Sequence, residues 1–462
     1  MIQVQLPDDG LLTTEQIAYI INNTDLDKFQ ENDNYFTGNN PTILAKDDPD
    51  DDHFPNNKTT VPYGRKLSLT TKNYMFNKPV VYTSEDESYL EELQKVFDNN
   101  MNMEKVDEIG LDLVVHGASY KLFYFGENGK DIKYSIIKGG EIIPVYDYNI
   151  EPNLVCAIRF FTISDFLDSS KDKIVVECYY DTRLVKYETT DSTISQASLI
   201  QKDSNIHGFS QVPLVVYGDE WQLGVFDAVK KLIDGVDTIT STNLNEIEAF
   251  RLAYLVMTGQ KIHEDDVEKI KEKRFFELEP DSTLDYLTKT IDGEFHGSVI
   301  DFLVSEIHKQ SGVPDFASKD FAAESGIALR YKLMGFENLA SSIEYIFKRG
   351  EQDSIDIINS VTDNIDDYNR FEYYNTYPDR RIEIKMFRNI PENDSEAVAL
   401  ANQLKLLGVS MEKILDLLPM IENTEEELEK IKEEKEANME MFNSQMNEPR
   451  EDENADTDED NN

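Results

Sequence analysis

Residues 224–250 read GVFDAVKKLIDGVDTITSTNLNEIEAF. Val225, Val229, Leu232, Ile233, Val236, Ile239, Leu244, Ile247 and Phe250 recur at three- and four-residue spacing, the period of one apolar face of an α-helix. At 1.5 Å per residue the helix is predicted to run about 40 Å or more. Gly235 and the Thr-rich TITSTN stretch lower its intrinsic propensity, so its stability must come from whatever packs on it.

Downstream lies a compact αβ insert: AYLVMTG reads as a strand, HEDDVEKIKEKR as a polar helix, FFELEP and LDYLTKT as two strands. The chain returns through a second helix, from Ser298 to about Gln310, halted at Gly312-Val313-Pro314. Residues 314–325, PDFASKDFAAES, are mostly small or polar, with two phenylalanines and one lysine, Lys319. A third helical pattern runs from about Gly326 past Ile358. Two strands (RFEYYN and RRIEIKMF) lead into helices at Glu396–Leu407, Met411–Leu417 and Glu425–Glu436, punctuated by Gly408 and Pro419. Thr424-x-x-Glu427 is a capping box. The acidic tail has almost nothing apolar to bury after Met446 and is expected to be disordered.

Upstream the pattern is mixed. Thr13-x-x-Gln16 is a capping box opening a helix to about Gln30, and NDNYFTGNNPTILAKDDPDDDHFPNNKT reads as a loop. Pro62 starts a helix that Lys78-Pro79 stops before the strand VVYT. Ser84-x-x-Glu87 is read as the cap of the next helix, and MEKVDEIGLDLVVHG as a further one ended by Gly117. From Ala118 to about Tyr217 the signal is β: ASYKLFYF, KYSIIK, EIIPVYD, CAIRFFT, VVECYY and RLVKYETT, separated by Gly, Asn and Asp turns. The fold class is α+β.

A net charge of −46 repels nucleic acid at long range and argues against a conventional DNA or RNA binder. Cys156 and Cys178 lie in strand-like apolar runs and are expected to be buried free thiols. No signal peptide is visible, and no apolar stretch reaches the roughly 18 residues that span a bilayer. The chain is therefore expected to act or assemble inside a cell, with no membrane partner.

Little in the sequence points to catalysis. Gly126-x-x-Gly129-Lys130 is too short for a phosphate-binding loop and lacks the hydroxyl that holds magnesium. There is no HExxH and no paired CxxC to frame a zinc site. His116 and Ser119 are read as a helix-end histidine and a strand-start serine, because the G-x-S-x-G elbow is incomplete. The Asp-rich stretch 47–53, ending in His53, could hold a hard cation, but it lacks the EF-hand spacing and is read as a solvated loop. Trp221 is expected to pack as a pivot before the long helix. No cofactor is expected.

Several stretches resemble the portal proteins of tailed bacteriophages, in the branch common in phages of Gram-positive hosts. They are NYFTGNNPTIL (34–44), PYGRKLSLTTKNYMFNKPVVY (62–82), GLDLVVHGASYKLFYF (110–125), GEIIPVYDYNIEPNLVCAIRFF (140–161), residues 212–250 and SGIALRYKLMGFENLA (325–340). None is a catalytic motif; their order and joint presence carry the resemblance.

The resemblance implies an elongated subunit of a dodecameric ring around a DNA channel. Residues 1–223 and 326–393 would form the wing, 224–252 and 298–313 the stem helices, 253–297 the clip, 314–325 the tunnel loop, 394–440 the crown and 441–462 a disordered tail. Val229, Leu232, Val236, Ile239 and Ile247 would pack stem helices between subunits. Phe316, Ser318, Lys319, Asp320 and Phe321 would belong to the tunnel loop, with Lys319 towards the axis. Repeated round a ring, one lysine centres a sliding duplex without gripping it. The implied partners are further copies of the chain, the large subunit of the terminase motor, a head-completion adaptor, scaffold and major capsid proteins, and double-stranded DNA without sequence specificity. The implied location is the capsid portal vertex, with assembly in the host cytoplasm. Two other readings remain for the residues taken alone: a cytosolic metal-dependent enzyme using the Asp-rich loop and His53, and a non-viral scaffold of helical hairpins. Particle size separates a ring from both.

Overall fold

The computed structural model describes residues 2–47, 55–127, 129–168, 172–191, 194–250, 254–259, 280–287, 293–317, 326–361, 382–389, 394–415, 418, 421, 424 and 426–435. The chain divides into two compact units, Met1–Asn389 and Ile390–Asn462.

The first unit opens with β1 (Ile2–Gln3) and α1 (Thr14–Asn23), and Thr13 and Gln16 make both hydrogen bonds of the expected capping box. The helix is shorter than predicted. It stops at Asn23, where Thr24 turns its hydroxyl back onto the Ile20 carbonyl. Part of the expected loop is instead helical, as α2 (Asp27–Thr37) and α3 (Pro41–Leu44). Phe29 and Tyr35 are buried, and that burial outweighs the weak propensity of the Asn and Asp residues around them. Next come α4 (Tyr63–Phe76), β2 (Val81–Thr83), α5 (Glu87–Asp98) and α6 (Asn102–His116). Asp86, not Ser84, caps α5: its carboxylate accepts from the Tyr89 N–H, while Ser84 serves the Asp86 N–H. Gly117 ends α6 in the left-handed region (φ +70°), where a Cβ would also strike the Gln222–Leu223 backbone.

The β region holds β3 (Ala118–Phe125), β4 (Ile132–Ile137), β5 (Ile142–Tyr146), β6 (Leu154–Ile163), β7 (Lys173–Tyr179), β8 (Arg183–Thr189), β9 (Ile200–Ile206) and β10 (Leu214–Gly218). These make a six-stranded sheet ordered β1-β5-β6-β7-β8-β9 and a three-stranded sheet ordered β10-β3-β4. The two-residue period sorts the side chains into layers. Cys156 and Ile158 face α1 with Val145, Val176 and Cys178, whereas Ala157 faces Tyr120, Leu122 and Leu214 of the smaller sheet. Both cysteines are free and buried, as expected. Trp221 is not a packed pivot. It stands 73% exposed in a turn whose backbone N–H groups donate to Asp219.

The first long helix, α7 (Lys230–Phe250), follows a single 3-10 turn at Asp227–Val229. Its 21 residues span roughly 31 Å, less than predicted, because the first turn winds differently. Then come β11 (Tyr254–Thr258) and β12 (Thr283–Leu287), paired antiparallel, α8 (Gly293–Ser311), α9 (Gly326–Asn359) and β13 (Glu383–Lys385), which pairs with β2. The predicted polar helix HEDDVEKIKEKR, the strand RFEYYN, nearly all of FFELEP, the acidic tail and all of the Asp-rich stretch except Asp47 lie outside the described residues. The second unit contains α10 (Asp394–Leu406), ended by Gly408 at φ +81°, and α11 (Met411–Leu415); residues 426–435 are also helical.

Buried charge ties α9 to the smaller sheet. Lys121, on β3, donates to Glu351 at 2.6 Å and to Ser354 at 3.0 Å; Tyr217 and Tyr82 donate to Glu351 at 2.5 and 2.7 Å. Burial works against ionisation of Glu351, but the Lys121 ammonium and the two phenols hold its carboxyl below the ordinary range. Gly350 lets the Tyr217 ring lie against the helix, since a Cβ there would come within 2.3 Å of it. Among the described residues no helix is long and apolar enough to cross a membrane.

Candidate functional site

The α7 and α8 helices form an antiparallel hairpin. Gly235 of α7 meets Leu303 of α8, and eight residues on, Asn243 meets His296 at 2.5 Å. A Cβ at Gly235 would lie 3.3 Å from Leu303, so the glycine permits the close approach.

The two halves of this hairpin differ. At the start of α7 and just before it, Val229, Ile233 and Val236 are buried within the chain itself. A strap formed by residues 55–61 runs beside the helix and is held by polar contacts. The Asn57 N–H donates to Asn245 at 2.6 Å, the Thr59 N–H to Ser241 at 3.0 Å and the Val61 N–H to Asp237 at 2.8 Å. Asn40 reaches Asp234 and Asp237, and Tyr35 donates to Asp234 at 2.8 Å. Partial burial pushes the Asp237 carboxyl up, against these donors. Ser241, within the stretch that weakens α7 as an isolated helix, is thus one of the residues that dock the strap.

Past the strap the helices are more open: among the described residues Ile247 of α7 is 56% exposed and Phe295 of α8 61%, and Phe302, level with Gly235, is also 61% exposed on the outer side of α8. Leu232 and Ile239 are half-buried. Of the five predicted stem-packing residues, Val229 and Val236 are therefore already covered by their own chain, and Ile247 is the one most open to a neighbour.

The hairpin ends at Ser311, and Gly312 turns the chain at φ +73°. His308 Nδ1 lies 2.9 Å from the Val313 carbonyl, Val313 is buried, and Asp315 pairs with Lys66 of α4 at 3.0 Å. Partial burial opposes ionisation of Asp315, but Lys66 holds its carboxyl below the ordinary range. Phe316 sets its ring edge-on to Phe336 of α9, 6.2 Å between centroids, while staying 44% exposed. The base of the predicted tunnel loop is thus anchored to α4 and α9. Ser318, Lys319, Asp320 and Phe321 lie outside the described residues.

His116 and Ser119 serve separate partners. His116 lies 3.3 Å from Asp33 and against Phe29, while Ser119 donates to Asp112 at 2.9 Å. Among the described residues no group of three or more His, Cys, Asp or Glu side chains is placed to hold a metal ion. The sequence reading missed the strap and the Lys121–Glu351 centre.

The family model described as phage portal protein, SPP1 Gp6-like, matches residues 18–441. The portal protein of Bacillus phage SPP1 is 22% identical over 400 residues, covering 83% of this chain and 77% of that protein. The portal protein of Clostridium phage phiCD119 is 23% identical over 375 residues, covering 77% and 79%. Among solved structures, the neck of an empty GTA particle computed with C6 symmetry superposes with a TM-score of 0.46 at 11% identity, covering 78% of this chain and 90% of that one.

Proposed function

Because the chain belongs to the SPP1 Gp6-like family of phage portal proteins, we propose that it assembles into a dodecameric ring at one capsid vertex, in the virion and, during assembly, in the host cytoplasm. Double-stranded DNA passes through the ring on packaging and again on ejection. The ring is the docking site for the terminase motor and later for head-completion proteins, and it has no catalytic role of its own. The α7–α8 hairpin is the stem, the β11–β12 insert belongs to the clip, and the segment 314–325, with Lys319, lines the narrowest part of the channel.

One observation carries this reading: Ile247, Phe295 and Phe302 of the hairpin stand exposed, although Val229, Ile233 and Val236 of the same hairpin are buried within the chain. Large apolar side chains left exposed on a helical hairpin suit an interaction site, and in a ring the neighbouring hairpin covers them. Rims of negative charge with few cations suit a channel through which phosphates must slide. The test is the mass and the end-on view of the purified particle. The expected result is about twelve times the 53.2 kDa subunit, seen as a ring in negative stain. A monodisperse monomer at working concentration would overturn the reading.

A further inference from the structure

A groove of about 680 Å³ runs along the free edge of the three-stranded sheet, between that edge, the β5–β6 turn and α9. Among the described residues β10 is an outer strand, paired with β3 alone, in the register Val215 opposite Lys121 and Val216 opposite Tyr120. The Phe123 N–H donates to the Pro213 carbonyl directly opposite it, which sets the parity of the ladder. In an antiparallel pair, hydrogen-bonded positions alternate with positions whose backbone groups point away. Leu214, Val216 and Gly218 therefore turn their N–H and C=O groups from β3, and all three line the groove. The Gly218 carbonyl accepts from the Arg349 guanidinium. Among the described residues Leu214 and Val216 make no backbone hydrogen bond beyond the ladder.

The groove is also acidic. Asp219, Glu220, Asp353 and Asp356 line it against the single cation Arg349. Asp353 and Asp356 stand about one turn apart on α9, on the exposed side of the helix. Partial burial pushes both carboxyls up, and Arg349 offsets this only in part at Asp353. Exposed Trp221 stands between Glu220 and Gln222, which both line the groove.

We propose that this groove binds an extended cationic segment of another protein, added beside β10 as a fourth strand, with Lys or Arg side chains on Asp353 and Asp356. Unpaired edge groups supply the backbone pairing, and alternate side chains supply the selectivity. The chain's own 45 basic residues against 91 acidic ones make a partner protein the better source of such a segment than a second copy. The site lies wholly in the wing and does not depend on the stem being an interface.

The test uses the full-length particle and three end-blocked peptides in fluorescence anisotropy near physiological ionic strength, where long-range attraction to the acidic surface is damped. One peptide alternates Lys and Val, the second carries N-methyl groups on alternate residues, and the third has Glu in place of Lys. The first is expected to bind saturably, the second at least about tenfold more weakly, and the third not measurably. The double variant Asp353→Asn/Asp356→Asn is expected to weaken the first peptide by about tenfold with its melting temperature unchanged or raised, since partial burial already works against both charges. No binding, equal binding of the methylated peptide, or full affinity in the double variant would overturn the proposal. Because particle mass is read on the same sample, a failure here is distinct from a failure of ring assembly.

Discussion

The C-terminal half of α9 and the far end of the α7–α8 hairpin solve opposite problems. At the first, a helix meets its own sheet through a buried Lys–Glu pair that several hydroxyls satisfy. At the second, Ile247 and Phe295 stand more than half exposed among the described residues. A buried ion pair adds little net stability but penalises every wrong arrangement, because a displaced helix strands a charge. Apolar surface is tolerant of register and suits a contact made only on assembly. The difference teaches that specificity inside this subunit rests on polar groups, while the drive to associate is left to the hydrophobic effect.

The sharpest way to break the comparison is Lys121→Met. It strands the Glu351 carboxylate in the core and is expected to cost about 3–5 kcal/mol in denaturant unfolding of the Met1–Asn389 unit. A loss under about 1 kcal/mol would mean that packing alone holds α9. Ile247→Asp tests the other side. The expected outcome is loss of the ring in light scattering with the subunit's circular dichroism intact, since the residue is exposed within its own chain. If particle mass survives, that face is not an interface.

Asp112, on α6, offers a smaller, pH-dependent effect. Desolvation, opposed by the hydrogen bond from Ser119, pushes its carboxyl up to about 7. The folded value lies above the unfolded one, so as pH rises from about 4 to about 7 the unfolded chain sheds a proton that the folded chain keeps. Stability should fall across that window, and the penalty should be fully present above it. Asp112→Asn is expected to stabilise the protein by about 1–3 kcal/mol at pH 8 and by nothing at pH 3.5. Equal melting temperatures at pH 8 would refute the burial of that charge. Smallest is Gly235→Ala in α7, where a helix-propensity gain of up to about 1 kcal/mol opposes crowding at Leu303. The net change should stay within about 1 kcal/mol, and a larger loss would show that α7 and α8 cannot separate by even a few tenths of an ångström.

Local pattern made much of this molecule legible. The capping box at Thr13, the left-handed stop at Gly117, the alternation of β3 to β8 and the period of α9 all follow from interactions within a few residues. Where a distant partner decided the outcome, the reading slipped. The segment after Thr24 folds as α2 because Phe29 and Tyr35 find partners far along the chain, including Tyr120 and Phe226. Trp221 looked like a core residue by type, yet its turn is shaped by Asp219 and leaves the indole outside. The stem stripe was found by its period, but a period cannot say which part of a stripe is covered by its own chain.

The sequence by itself therefore determined the element types, most of their order, the family and the surplus of negative charge, because each is written in composition or in short-range spacing. Tertiary structure alone decided that Lys121 meets Glu351 across 230 residues, that residues 55–61 strap α7, and that β10 leaves an edge open beside two carboxylates. Contacts between distant segments depend on how the sheets stack and where α9 crosses them, and no local preference encodes that.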